Sequence, residues 1–106
     1  MTDVTGRWRL TVKAPIGSET VDLTITERDG RYRAVGSARG QRAEIDPLPV
    51  QRTADGARIR FTYSVTQPIK ANAEIDVTVT GDRMHGKAKA GLLLRVSVEG
   101  TRVGDA

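Results

Sequence analysis

The stretch 71-ANAEIDVTVTGDRMHGKAKA-90 decides the fold. Its first half alternates strictly, with Ala73, Ile75, Val77 and Val79 on one side and Glu74, Asp76 and Thr78 on the other. A period of two marks a strand that buries one face. Gly81-Asp82 then reads as a two-residue hairpin turn, and turn length sets register. It places Thr78 opposite His85, Asp76 opposite Lys87 and Glu74 opposite Lys89. The two opposite-charge pairs agree with a turn that was located without them, each contributing about 0.2–1 kcal/mol. The returning strand, 83–90, directs Met84, Gly86, Ala88 and Ala90 to the inner face.

The same alternation extends both ways along the chain. Strand one, 6–14, sends Trp8, Leu10 and Val12 inward; strand two, 20–28, sends Val21, Leu23 and Ile25 inward after a loop at 14–19. Asp29-Gly30 is a second hairpin signal, setting Thr26 opposite Arg33, Ile25 opposite Ala34 and Leu23 opposite Gly36. Strand three therefore covers 31–38. Arg39-Gly40 turns it into strand four, with Gly36 facing Ala43 and Ala34 facing Ile45. Asp46-Pro47-Leu48-Pro49 breaks the ladder, because neither proline has an N–H to donate. A short extended piece at 50–53 leads to strand five, 57–66, with Ile59, Phe61, Tyr63 and Val65 inward. Residues 67–70 form a loop, strand six is 71–80, strand seven 83–90, and strand eight runs over 92–102 after Gly91.

Composition fits one all-β domain. The chain has 106 residues with 38% hydrophobic content, enough for a single core under one face of a sheet. It has no cysteine and one histidine, His85, which excludes disulfides, thiol chemistry and a multi-histidine metal centre within one chain. No metal and no cofactor are expected. No apolar run reaches membrane length and residues 1–20 carry no signal-peptide core, so a cytoplasmic protein that does not enter membranes is expected. The net charge of +4 comes from interspersed acids and bases, which reads as a solvated outer face. All four aromatic residues fall on the inward parity, leaving no outer platform for base stacking, so nucleic acid is not an expected partner.

Eight short strands with short connections imply an eight-stranded antiparallel up-and-down β-barrel, since closure removes the exposed edges. The first and last strands would meet, bringing Trp8 and Arg102 together on the inner face at one end. Gly6-x-Trp8 at the start of strand one, with Arg102 near the end of the last strand, resembles the calycin superfamily, which includes lipocalins and fatty-acid-binding proteins. The resemblance implies a tryptophan at the closed end of a barrel with the arginine packed across it. That contact would plug the end with a cation–π interaction of about 0.5–2 kcal/mol.

The opposite end would be the mouth, near Ile16, Ile69 and Leu92. Small inward residues on strands three, four and seven face large ones elsewhere. One consequence is an apolar cavity lined by Leu10, Ala34, Gly36, Phe61, Tyr63, Met84 and Ala88, suited to a small apolar or aromatic molecule. The other is close packing of large side chains over small ones, which leaves a structural or dimerisation domain with a filled core. A third reading is a cofactor-free enzyme of isomerase or cyclase type, with Tyr63 as a weak acid or Glu27 as a base. Against these roles, Tyr63 also reads as a core tyrosine, and Glu27 as a solvated residue or a partner of Arg102. Exposed Arg and Thr ladders are compatible with a homodimer formed by sheet packing.

Overall fold

The computed structural model describes residues 4–14, 17–38, 40–65, 71–90 and 94–105. These residues form β1 (Gly6–Ala14), β2 (Gly17–Arg28), β3 (Arg31–Ala38), β4 (Gln41–Ile45), β5 (Val50–Arg52), β6 (Ala57–Val65), β7 (Ala71–Thr80), β8 (Arg83–Ala90) and β9 (Leu94–Gly104). Among the described residues there is no helix, and so none long and apolar enough to cross a membrane. All nine strands join one antiparallel up-and-down sheet in the order β4-β3-β2-β1-β9-β8-β7-β6-β5, curled into an open half-barrel.

The hairpin registers follow the turns. Asp29 and Gly30 both adopt positive φ, as the two central residues of this tight hairpin require. Ile25 faces Ala34, and Leu23 faces Gly36. At the other hairpin, Thr78 faces His85, Asp76 faces Lys87 and Glu74 faces Lys89. The N- and C-terminal strands meet in mid-sheet, with Trp8 opposite Arg102 and Leu10 opposite Gly100. β2 begins at Gly17, so much of the segment read as a loop extends the sheet. β9 runs to Gly104, two residues beyond the expected end. The mouth residues Ile16, Ile69 and Leu92 lie outside the described residues.

The expected closed, eight-stranded barrel is corrected on two points: the short extended piece forms a ninth strand, β5, and the sheet is not closed. The seam between first and last strands closes, but among the described residues β4 and the upper half of β6 do not pair. The cause lies in residues 46–49. β5 pairs Val50, Gln51 and Arg52 with Ile59, Arg58 and Ala57. Extending that ladder toward the mouth would bring Pro49 and Pro47 alongside β6, and neither can donate. The N–H of Leu48 donates instead to the carbonyl of Tyr32 on β3, at 2.8 Å. The chain therefore changes partner, from β3 to β6, across this corner. Among the described residues, Arg60–Val65 is left with β7 as its only neighbouring strand.

The core occupies the end carrying the Asp29-Gly30 and Gly81-Asp82 turns. Trp8, Ile25, Ala34, Ile59, Val77, Val79 and Met84 are buried there together with Val4 and Leu48. Gly86 is required by a close approach. A β-carbon at this position would stand 2.1 Å from the Asp76 carbonyl oxygen and 2.6 Å from the Val77 α-carbon. Only a residue without one lets β8 lie this close to β7.

Candidate functional site

The closed end is built around one stacked cluster. Trp8 is buried, and its indole Nε1 donates to the Val4 carbonyl at 3.0 Å. The Arg102 guanidinium carbon lies 4.6 Å from the centre of the Trp8 ring. Gly6 explains the first position of the Gly-x-Trp pattern. Its φ of 134° belongs to glycine, and a β-carbon there would meet the Arg102 Nε at 3.1 Å and the Gly104 carbonyl oxygen at 3.0 Å. The missing side chain leaves room for the arginine to lie across the ring. The Arg102 guanidinium also ion-pairs with Asp82 of the β7–β8 turn, while its backbone N–H donates to the Asp82 carbonyl at 2.9 Å. Arg102→Lys keeps the charge but loses the planar fork and the flat stack. It is expected to lower unfolding free energy by about 1–2 kcal/mol in urea titrations; unchanged stability would show the stack to be passive.

From this floor the inner face opens by rows. The row Leu10, Gly100, Met84, Val79 and Ala57 is joined by direct strand pairing, and every member other than Gly100 is buried. The row above, Val98, Gly86, Val77 and Ile59, is buried apart from the glycine. Next come Val96, Ala88, Ile75 and Phe61, and all four are half-buried. Tyr63 and Ala73 lie beyond them, again half-buried. Across the concavity, Val21, Leu23, Gly36 and Ala43 form a second half-buried apolar wall. The fold thus pairs a packed floor with an apolar wall that reaches solvent.

This gradient divides the expected ligand-lining residues. Leu10, Ala34 and Met84 belong to the packed floor. Gly36, Phe61, Tyr63 and Ala88 share the half-buried wall. Tyr63 lies on the upper part of β6, whereas Glu27 is exposed at the opposite end, facing Tyr32 beside the Asp29-Gly30 turn. The structure does not bring these two together, and Arg102 takes Asp82 as its carboxylate partner. The guanidinium of Arg52 reaches across from β5 to within 3.5 Å of the Tyr32 hydroxyl, below the opening. Leu48 and Val4 were not anticipated as floor residues. The signal for Leu48 is an aliphatic side chain held between two prolines that are themselves exposed.

The outer face is polar. A hollow of about 1020 Å³ lies over Arg60, Glu74, Lys87, Lys89 and Arg95, and its lining also includes Phe61, Ile75, Ala88 and Val96 of the half-buried row. Asp76 is held there by Arg58, with Nε–Oδ1 and Nη2–Oδ2 distances of 3.0 and 2.7 Å, rather than by the facing Lys87. Hydrogen bonding to Arg58 is the main reason the Asp76 carboxyl sits below its usual range. Glu44 is lowered in the same way by Arg33. Their stabilisation is present above the ordinary carboxylate range and is lost as pH falls through the lowered values. Both pairs are exposed, so the contribution is small. His85 is exposed on this face, opposite Thr78 and Glu99. Among the described residues no group of His, Asp and Glu side chains gathers closely enough to hold a metal ion.

No protein-family model matches the chain, and no curated protein matches it in sequence.

Proposed function

We propose that this chain is a calycin-like half-barrel that takes a small apolar or aromatic molecule against its inner wall. The observation that carries this reading is the graded burial of one apolar face. The floor around Trp8 is sealed, while Val96, Ala88, Ile75 and Phe61 stay half-buried with no strand among the described residues closing the gap beside β6. A domain whose inner face served only as a core would gain by packing that row as fully as the floor. Tyr63, above Phe61, supplies a hydroxyl on an otherwise apolar wall, a polar handle of the kind that orients ligands. The Gly6, Trp8 and Arg102 cluster supports the calycin reading, since it joins the same three residue types that carry the resemblance.

The test uses an environment-sensitive apolar dye, anilinonaphthalene sulfonate, together with native mass spectrometry of freshly purified protein. Ala88→Phe places a ring in the middle of the half-buried row without touching the floor. The wild-type protein is expected to bind the dye, and the variant to bind about tenfold more weakly while melting like the wild type. Equal binding by both proteins, or none by the wild type, would remove the wall as a site.

A further inference from the structure

Among the described residues the half-barrel has two unpaired strand edges. β6 is free only above Ile59, because β5 covers Ala57, Arg58 and Ile59. β4 has no strand on its outer side among the described residues, since β3 pairs with the other. An unpaired edge presents a row of backbone donors and acceptors to any chain that can lie beside it. The β4 edge carries the sequence 41-QRAEI-45, which complements itself when run against its own copy.

We infer that β4 is a dimerisation edge for a second copy of this chain, with the two β4 strands antiparallel and Ala43 on the twofold axis. In that register Arg42 of each copy faces Glu44 of the other, Ala43 faces Ala43, and Gln41 faces Ile45. Both cross-copy charge pairs are attractive, and they lie on the outer face, where Arg42 and Glu44 are exposed. Arg42 has no ion pair among the described residues, so its charge is available. Glu44 already accepts from the Nε of Arg33 at 2.8 Å, which orders its carboxylate and leaves lone pairs for a second guanidinium.

The neighbouring registers are disfavoured. A slip of one residue sets outward side chains against inward ones, which a continuous sheet does not permit. The two-residue offsets that preserve the faces put Arg42 against Arg42, or Glu44 against Glu44 with Arg42 reaching Asp46, which lies beyond the end of β4 and already pairs with Arg31; like charges directly opposite are destabilising. The pairing is isologous, so it closes at two copies. It also keeps the inner faces of both half-barrels on one side of the joined sheet, leaving each apolar wall open. The inference therefore stands apart from ligand binding.

Charge reversal tests it. Analytical ultracentrifugation of the full chain is run for wild type, Arg42→Glu, Glu44→Arg, the double variant carrying both changes, and an equimolar mixture of the two single variants. The wild type is expected to show a concentration-dependent dimer that weakens as salt is raised. Each single variant brings like charges together twice and is expected to dimerise about tenfold more weakly. The double variant and the mixture both restore opposite charges at both positions, and both are expected to recover the wild-type dimer. A wild type that stays monomeric at all concentrations overturns the inference. So does a dimer insensitive to either single variant, or one lost in the single variants and not recovered in the mixture.

Discussion

Trp8→Ala is expected to lower unfolding free energy by about 3–5 kcal/mol, the range for removing a large aromatic side chain from a packed core. For a domain of this size that corresponds to a fall in melting temperature of more than ~10 °C. The side chain is 1% exposed and faces Leu23 on one side and Arg102 on the other. Its removal leaves a void under the Arg102 guanidinium and takes away the donor to the Val4 carbonyl. Trp8→Phe keeps a ring beneath the arginine and loses only the indole hydrogen bond and some volume, so it is expected to recover most of the loss. Thermal melts of the two variants beside the wild type make the measurement. Near-wild-type stability of Trp8→Ala would contradict a floor packed around this residue.

Leu48→Ala is expected to cost about 2–5 kcal/mol. Leu48 is 4% exposed, and it is the only buried residue of the corner at 46–49, where Asp46, Pro47 and Pro49 are all exposed. The corner is held by this side chain, by the Leu48 N–H donating to the Tyr32 carbonyl, and by the exposed Asp46 carboxylate accepting from the Nε of Arg31 at 2.8 Å. Truncation should therefore act locally as well as globally. Hydrogen exchange is expected to rise first in β4 and β5, the two strands that the corner joins, before it rises in β1 or β9. Uniform exchange across the sheet would indicate that the corner opens only with the whole fold. Val103→Ala is a suitable comparison, because Val103 is 46% exposed and its truncation is expected to change stability very little.

Much of this architecture was legible because turn length leaves register no freedom. Asp29-Gly30 and Gly81-Asp82 each fixed a hairpin, and the parity carried from them placed Trp8 and Arg102 on one face. The opening between β4 and β6 was harder to read. The two prolines were recognisable as a break in the ladder, but the neighbour deprived by that break lies ten or more residues further along the chain, at Arg60 and beyond. Which partner an ion chooses was also not legible from pairing alone. Asp76 faces Lys87 on one side and Arg60 on the other, yet the diagonal Arg58 binds both of its carboxylate oxygens while Arg60 stands 3.8 Å away. The candidate wall was anticipated in part. Gly36, Phe61, Tyr63 and Ala88 share it, but inward parity by itself does not say how deep a position lies, so Leu10, Ala34 and Met84 could not be separated from them.

The seam between β1 and β9 carries a consequence for folding kinetics. It lies in the middle of the sheet, yet it joins residues as remote as Arg7 and Asp105, 98 positions apart. Every other strand pairing links neighbours in the chain and can form early from a local turn. The central pairing has to wait for the largest loop closure in the molecule, so the contact order is high and folding belongs to the slow range for small domains, about milliseconds to seconds. On the ribosome, β1 keeps one edge uncovered until β9 has been synthesised.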